Sequence, residues 1–149
     1  MLISVGRLTS RKGLREFVQN SLPGIVYAHP HAVLVIIGES PSNALGADLQ
    51  SPQSIMDTAR AGKVEKNIRL LGSVSEAELA TAFECASLHI FPIRNIPNDP
   101  EGFGMVAIEA AAHGVPTVAF ANGGVIDAVA VGRSCLLYTS DAADDSLRV

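Results

Sequence analysis

The sequence is short of the features that mark membrane, secreted and metal-binding proteins. It has no tryptophan, two cysteines and 5% aromatic residues in 149 positions. No apolar run reaches the ~18 residues that a transmembrane helix needs, and no charged segment followed by a cleavage site opens the chain. Cys85 and Cys135 lack the spacing of a metal site. These absences argue against a membrane span, a signal peptide and a cysteine-bound metal. They predict a cytoplasmic protein if Met1 is the natural start.

Positive charge is also scarce. The formal net charge is −4, and no basic stripe is visible in the sequence. This balance argues against nucleic-acid binding, because that function needs cations that neutralise phosphates. Apolar residues are plentiful, at 48% of a length typical of one domain. A sizeable core can therefore form, and Cys85 lies in an apolar helical pattern that predicts a buried thiol.

Five short apolar runs rich in β-branched residues predict strands that are buried on both faces of a parallel sheet. They cover residues 2–5, 32–37, 68–71, 88–91 and 117–120. Helical patterns alternate with them, at 14–22, 23–27, 55–61, from 76 onward and at 104–113, and residues 39–53 have the composition of an insertion loop. Ser75 and Glu78 have the spacing of a reciprocal capping box. The alternation of strands and helices predicts a doubly wound, Rossmann-like α/β fold.

The most informative stretch runs from Glu101 to Glu109. Its two carboxylates, eight positions apart, flank a Gly-Phe-Gly turn that follows the predicted strand at 88–91. Open α/β sheets bind ligands at the carboxyl ends of their strands, and a helix that starts there offers free N–H groups to phosphate. Carboxylates cannot hold phosphate, but they accept hydrogen bonds from sugar hydroxyls. The stretch therefore predicts a site for a molecule with a sugar at each end of a diphosphate.

This stretch resembles the Glu-x7-Glu motif of retaining glycosyltransferases with two Rossmann-like domains, and more narrowly that of glycosyltransferase family 4. Further marks of the family occur in its order: Val5-Gly6-Arg7-Leu8 with Arg11-Lys12-Gly13, Asn67-Ile68-Arg69-Leu70-Leu71-Gly72, His113-Gly114-Val115-Pro116-Thr117-Val118-Ala119 and Asn122-Gly123-Gly124-Val125. One mark alone would be weak, but the ordered set is specific. The resemblance implies that residues 1–134 are the C-terminal nucleotide-sugar-binding domain of a two-domain enzyme, truncated at both ends.

The resemblance implies three catalytic residues, Arg7, Lys12 and Glu101. The two cations would clamp the donor diphosphate, and Glu101 would hold hydroxyls of the transferred sugar. The physics agrees, because fixed cations neutralise the charge that develops as the nucleotide leaves. Glu109 is implied to accept hydrogen bonds from the ribose. Its helix is apolar nearly all round, so a lone carboxylate there needs a partner, although a lone glutamate on a helix is ordinarily just exposed.

The other implied donor-binding residues lie at strand ends and helix starts. They are Gly6, Gly72, Ser73, Val74, Gly102, Phe103, Gly104 and Met105. Glycine at position 6 lets the backbone approach the ligand closely. Residues 72–74 are implied to approach the nucleobase, and residues 103–105 to offer N–H groups to the phosphates. An ordinary strand-end turn at 72–74 is an equal alternative, and Arg11 is expected to face solvent.

The activity implied for the intact enzyme is transfer of a hexose, mannose or glucose, from a UDP or GDP sugar to an acceptor hydroxyl with retention of configuration. No cofactor or metal is implied, and the sequence has no Asp-x-Asp metal motif. The expected partners are the nucleotide-sugar donor and an N-terminal acceptor domain that precedes Met1. The full-length enzyme could attach peripherally to a membrane, whereas this chain alone would bind the donor at best weakly and catalyse nothing.

Two alternatives stay open. The dinucleotide-binding domain of a dehydrogenase has the same sheet, but its Gly-x-Gly-x-x-Gly fingerprint should follow the first strand. Here Gly6 is followed by Arg7, and the next glycine is Gly13. A non-catalytic sugar-nucleotide-binding module fits the same residues. Binding of NAD, as against UDP or GDP, separates these classes.

Residues 135–149 depart from the family pattern. They resemble the translation of an adapter used in transposase-based sequencing libraries, so we predict a non-native tail in which Asp141, Asp144 and Asp145 form no metal site. A natural acidic tail is the alternative. The apolar run at 135–139 nevertheless predicts a sixth strand, with apolar surface left exposed in this part of the domain.

Overall fold

The computed structural model describes residues 1–40, 50–99, 103–122 and 124–138. Strands and helices alternate along these ranges. The strands are β1 Leu2–Val5, β2 Leu34–Ile37, β3 Ile68–Gly72, β4 Leu88–Phe91, β5 Thr117–Phe120 and β6 Cys135–Tyr138. The helices are α1 Leu14–Asn20, α2 Leu22–Ala28, α3 Pro52–Ala61, α4 Glu76–Glu84, α5 Met105–Ala112 and α6 Val125–Ala128, with short 3-10 turns at Ser10–Lys12 and Glu65–Asn67.

The six strands lie parallel in one sheet, in the order β3-β2-β1-β4-β5-β6. Each predicted strand is present, including the sixth, which pairs with β5. The direction of winding reverses between β1 and β4. The crevice outside the carboxyl ends of these two strands is therefore the place where an open α/β sheet binds ligands. The predicted doubly wound, Rossmann-like fold is confirmed.

Helices pack on both faces of the sheet. On one face, α1, α2 and α3 bury a cluster that includes Leu14, Ile36 and Ile55. On the other face, α4 and α5 bury a cluster that includes Ile3 and Phe83, and a third cluster lies under α5 and α6. Burying one such aliphatic side chain stabilises the fold by about 1.5–3 kcal/mol. The apolar runs that predicted the strands thus hold the sheet between two helical layers.

Local sequence signals explain where several helices begin and end. The Ser75 side chain accepts a hydrogen bond from the Glu78 N–H at the start of α4, and the Glu78 carboxylate accepts one from the Ser75 N–H. These two bonds confirm the predicted capping box. Helix α3 begins at Pro52, inside the predicted insertion loop, because the Ser51 side chain accepts a backbone N–H of its first turn at 3.0 Å. Gly114 follows α5 with φ +72°, the left-handed conformation that stops a helix.

The chain re-enters the described part of the structure at Gln50, after residues 41–49, which lie outside it. Gln50 is buried and donates from its side-chain amide to Glu16 at 2.8 Å, while its amide oxygen accepts from the Arg15 N–H at 3.0 Å. Its backbone N–H donates to the Leu8 carbonyl at 3.2 Å. The end of the predicted insertion loop is thus attached to the start of α1 and to the loop after β1.

Two parts of the surface expose residues that bear on the sequence predictions. Cys85 is exposed at the end of α4 and not buried as predicted, because it borders an apolar groove of ≈440 Å³ between α4 and the β2–β3 side of the sheet. Phe120, Leu136 and Tyr138 are 42%, 51% and 45% exposed on β5 and β6. These three residues form what we call the open face, and they are the apolar surface predicted for this part of the domain.

In the described ranges, each helix is too short or too polar to cross a membrane.

Candidate functional site

Backbone hydrogen bonds hold the carboxyl ends of β1, β2 and β3 together. The Gly6 N–H donates to the Ile37 carbonyl at 2.9 Å, and the Gly38 N–H donates to the Gly72 carbonyl at 2.8 Å. Gly38 has φ +132°, and a Cβ there would lie 2.0 Å from the carbonyl oxygen of Gly6. Only glycine permits such an approach. The structure therefore brings Gly6 and Gly72 to the same edge of the sheet, as predicted.

Lys12 lies where the winding reverses, between β1 and β4. Its Nζ is 4.7 Å from the centre of the Phe91 ring at the end of β4. Its Cε is 3.4 Å from the position that a Cβ on Gly6 would occupy. The Lys12 side chain is half-buried, whereas Arg7, in the same loop, is exposed. The structure thus brings Lys12 together with Gly6 and Phe91 and leaves Arg7 on the surface of the loop.

The loop after β1 is attached to the segment that follows β4. Gly13 has φ +65°, and a Cβ there would lie 2.0 Å from the carbonyl oxygen of Pro92. The Arg94 N–H donates to the Arg11 carbonyl at 2.7 Å. The guanidinium of Arg11 forms an ion pair with Asp99. The prediction that Arg11 faces solvent is therefore wrong, because its guanidinium contacts the carboxylate of Asp99, which precedes the Glu-x7-Glu stretch.

The start of α5 lies against the same aromatic ring as Lys12. Gly104 precedes the helix with φ +72°, and a Cβ there would lie 3.0 Å from Val125 Cγ2 and 3.3 Å from Phe91 Cε1. No side chain of the described residues caps α5, so its first N–H groups can bind an anion. Phe103 and Met105 are 49% and 59% exposed beside it. The predicted phosphate-binding positions 103–105 therefore surround an accessible helix start.

Glu101 and Gly102 lie outside the described residues, so their roles stay predictions. Glu109 is exposed on α5, as is Ile108, whereas Ala107 is buried. The prediction that α5 is buried nearly all round, so that Glu109 needs a partner, is therefore wrong. Small apolar residues make up most of this helix, but only one side of it packs on the sheet. An exposed carboxylate can still accept hydrogen bonds from a ligand, and the ribose role of Glu109 stays a prediction.

Residues 72–74 form the turn between β3 and α4. Gly72 has φ +66°, and the Ser73 N–H donates to Glu39 Oε1 at 3.4 Å. Val74 packs into the core cluster under α4, so its backbone alone is free to approach a ligand. Sequence reasoning missed Glu39, whose Oε1 is 3.6 Å from the position of a Cβ on Gly72. The available signal is a carboxylate directly after a buried strand, but composition alone places Glu39 in the insertion loop.

His89 is a second residue that sequence reasoning missed. The four histidines of the sequence lack ligand spacing, which predicts that each is a surface residue or a helix residue with satisfied hydrogen bonds and not a catalytic base. His89 is instead buried in β4. Its Nδ1 is 3.0 Å from Thr117 Oγ1, and its Nε2 has no hydrogen-bond partner among the described residues. Burial, with a smaller contribution from the charge of Lys12, lowers the pKa of His89 from 6.5 to about 3. The ring is therefore neutral in ordinary buffers and stacks on Phe91, with centres 5.6 Å apart.

These features define the chemistry that the edge can support. A cation, close-packed glycine backbone and an uncapped helix start suit a diphosphate. The exposed carboxylates of Glu39, after β2, and Glu109, on α5, suit hydroxyl or N–H donors. The fold and site thus define a Rossmann-like domain whose ligand edge combines a cation, close-packed glycine backbone and an accessible helix start.

Comparison with known families agrees with this description. The model of the family described as Glycosyl transferases group 1 matches residues 1–147. The chain belongs to this family, which sets aside the dehydrogenase alternative.

Named relatives and a solved structure are consistent with that membership. The D-inositol 3-phosphate glycosyltransferase of Segniliparus rotundus is 34% identical over 140 residues, which cover 94% of this chain and 29% of the relative. The glycogen synthase of Mycobacterium tuberculosis is 33% identical over 133 residues, which cover 89% of this chain and 28% of the relative. The Anabaena protein HepE in complex with UDP and glucose has the same fold, with a TM-score of 0.72 at 20% identity, over 93% of this chain and 34% of that one. The chain thus spans about three tenths of the length of these curated relatives.

Proposed function

We propose that this chain is the donor-binding domain of a retaining glycosyltransferase of family 4. In the longer protein, a hexose passes from a nucleoside diphosphate to an acceptor hydroxyl and keeps its anomeric configuration. The observation that carries the proposal is the meeting of two phosphate-binding features on one ring. Lys12 Nζ is 4.7 Å from the centre of Phe91, and Gly104, at the start of α5, lies against the edge of the same ring.

The diphosphate lies between these two features. Lys12 neutralises its charge, and the N–H groups at the start of α5 donate to its oxygens. Arg7, exposed in the same loop as Lys12, adds a second cation. Negative charge grows on the diphosphate as the bond to the sugar breaks, so fixed positive charge stabilises the transition state more than the ground state. These cations supply the charge stabilisation, so the proposed mechanism requires neither a metal nor a cofactor.

The two ends of the donor meet carboxylates and backbone. Glu101 holds hydroxyls of the transferred sugar, and Glu109 accepts hydrogen bonds from the ribose. The nucleobase lies by the turn at 72–74, where Glu39 adds an acceptor for base N–H groups. The Anabaena structure with UDP and glucose supports a UDP hexose as the donor, and a GDP hexose is the alternative that the base-binding turn would have to accommodate.

The rest of the protein completes the enzyme in this proposal. The acceptor site, and any base that serves it, belongs to an N-terminal domain, and the intact protein works at the cytoplasmic surface of a membrane or in the cytoplasm. The chain described by this sequence binds the donor and does not catalyse transfer by itself.

A calorimetric titration panel tests the nucleotide assignment on this chain. UDP, GDP and NAD are titrated separately into the wild type. We expect binding of UDP or GDP and no heat from NAD at the same concentrations. Binding of NAD in preference to both diphosphates would overturn the proposal, and binding of none of the three would remove its basis.

A pair of substitutions distinguishes the sugar end from the ribose end. In the full-length enzyme, Glu109→Ala should weaken binding of the free nucleoside diphosphate by about 1.5–3 kcal/mol, the usual cost of losing a charged hydrogen bond. Glu101→Ala should leave that affinity nearly unchanged but reduce turnover of the sugar nucleotide, because the free diphosphate lacks the sugar. Calorimetry and initial rates measure the two effects. Equal loss of diphosphate affinity in both variants would contradict the assignment of Glu101 to the sugar.

A further inference from the structure

One aromatic side chain contacts both phosphate-binding features of the site. Phe91 is the last residue of β4 and is 1% exposed. Lys12 Nζ lies 4.7 Å from the centre of the Phe91 ring. The Cε1 atom of Phe91 is 3.3 Å from the position that a Cβ on Gly104 would take. The face of the ring thus meets the cation, and its edge meets the residue that begins α5.

A second ring packs against Phe91. His89 stacks on Phe91 with the ring centres 5.6 Å apart and the planes inclined by 24°. The His89 ring is itself held by Thr117 Oγ1 at 3.0 Å. Because its pKa is lowered to about 3, His89 is neutral and adds no positive charge next to the Phe91 ring. Phe91 therefore has little freedom to turn away from the ammonium.

We propose that Phe91 is a positioning residue, which holds the Lys12 ammonium at the diphosphate and sets its position relative to the start of α5. The inference rests on the proposed function of the same site. Lysine has a flexible four-carbon stem and loses much rotamer freedom when it is held in one place. The negative face of an aromatic ring attracts an ammonium group, so the ring restricts the positions that the Lys12 charge can take.

The contact at Gly104 extends the argument. With φ +72° and Val125 Cγ2 at 3.0 Å from the position of a Cβ, this residue favours glycine and leaves little room for a side chain. The ring edge can therefore lie directly against the backbone that starts α5. Lys12 and the backbone at the start of α5 thus both contact the Phe91 ring. A movement of this ring would displace both of them.

A test that needs no ligand comes first. A lysine held over a ring face has methylene resonances shifted upfield by the ring current. In NMR spectra of the whole chain, the Lys12 Cε protons, assigned by their absence in Lys12→Met, should be shifted upfield in the wild type and return to ordinary lysine values in Phe91→Leu. Phe83→Leu is the matched control, because Phe83 is also 1% exposed but contacts His89 and His113. This control should keep the shift. Ordinary Lys12 shifts in the wild type would overturn the inference.

A double-mutant cycle then tests the functional part. Affinities for UDP and uridine, and for GDP and guanosine, are measured on the wild type, Phe91→Leu, Lys12→Met and the double variant, after thermal unfolding shows that each is folded. Phe91→Leu should weaken the preferred diphosphate about three- to tenfold, the range of a partly desolvated cation–π contact. It should leave the matching nucleoside unchanged and have no further effect in the Lys12→Met background.

The possible outcomes separate the two proposals. Equal loss of diphosphate and nucleoside affinity, or the same loss with Lys12→Met already present, would show a merely structural role and overturn the inference while the proposed function stands. The inference is overturned in the same way if Phe83→Leu reproduces the diphosphate-specific loss, or if Phe91→Leu has no effect on binding. Failure of the wild type to bind either diphosphate would overturn the proposed function and, with it, the role of Phe91 in binding.

Discussion

The two halves of the sheet are held together in different ways. In the half formed by β1, β2, β3 and β4, the loops at the carboxyl ends interlock through backbone contacts that only glycine allows, at Gly13 and Gly38. In the half formed by β5 and β6, helices α5 and α6 cover one face, and the open face exposes Phe120, Leu136 and Tyr138. Every sequence-predicted ligand residue that the structure describes ends or follows β1, β3 or β4. Close backbone contacts are therefore concentrated where the diphosphate is proposed to bind.

The largest effect should come from disturbing the interlocked half. Gly38→Ala places a Cβ 2.0 Å from the Gly6 carbonyl oxygen at φ +132°. We expect a loss of roughly 3 kcal/mol or more of unfolding free energy, from steric overlap together with backbone strain. Gly114→Ala is the matched control, because it has φ +72° and nothing within 4 Å of the added Cβ. It should cost roughly 1–2 kcal/mol for the left-handed backbone alone.

Denaturant titration of the two variants compares these costs. Equal destabilisation by Gly38→Ala and Gly114→Ala would mean that the contact between Gly38 and Gly6 is not what holds the loops together. The comparison between the two halves of the sheet would then fail at its strongest point.

The ligand edge of the same half gives the next largest effect. In the full-length enzyme, Lys12→Ala should weaken binding of the nucleoside diphosphate by about 1.5–3 kcal/mol. Turnover should fall by more than the affinity, because the charge on the leaving diphosphate is greater in the transition state. Lys66→Ala is the control, since it removes the same charge from an exposed turn before β3. Unchanged turnover in Lys12→Ala would rule out its role at the diphosphate.

The buried histidine gives a pH-dependent contrast between folded and unfolded chains. The pKa of His89 is about 3 when folded, against a usual value of 6.5. Below pH 6.5 the unfolded chain binds a proton that the folded chain does not, so stability is lost as the pH falls from 6.5 toward 3. This single group should cost about 1.4 kcal/mol per pH unit, or about 2 kcal/mol at pH 5.

His89→Gln removes this titration and isolates its contribution. Chemical unfolding at several pH values should show a shallower loss of stability in the variant between pH 6 and 4 than in the wild type. Carboxylates elsewhere titrate in both proteins, so the difference between the two curves is the quantity to measure. Parallel curves would show that His89 titrates normally and is not desolvated in β4.

Local signals in the sequence predicted most of the fold and part of the site. Continuous β-branched runs identified the strands, and Ser75 with Glu78 identified the start of α4, because these signals act over a few residues. The ion pair between Arg11 and Asp99 joins residues far apart in sequence, so no local pattern could have revealed it. The burial of His89 likewise depends on neighbours from other strands and helices.

The composition of α5 shows a second limit of sequence reasoning. A run of alanines around Glu109 predicts burial all round, but burial depends on what packs on each side of the helix. In the structure Ala107 and Ala110 are buried against the sheet, whereas Glu109 is exposed. The same limit applies to Cys85, whose apolar pattern is real but whose side chain borders an open groove.

The smallest effect on stability should come from the open face. Phe120 and Tyr138 lie opposite each other in the β5–β6 register and are 42% and 45% exposed. Replacing either by serine removes few buried contacts, so the free energy of unfolding should change by less than about 1 kcal/mol.

The same substitutions should have a larger effect on association, because contiguous apolar surface drives contact between copies. Sedimentation velocity should show concentration-dependent association of the wild type that decreases in Phe120→Ser and Tyr138→Ser. Tyr27→Ser, at a residue that is 91% exposed on α2, should leave it unchanged. A large loss of stability in Phe120→Ser or Tyr138→Ser would mean that the side chains of the open face contribute to stability as the interlocked loops do. Equal association of the wild type and the three variants would mean that the open face does not mediate contact between copies.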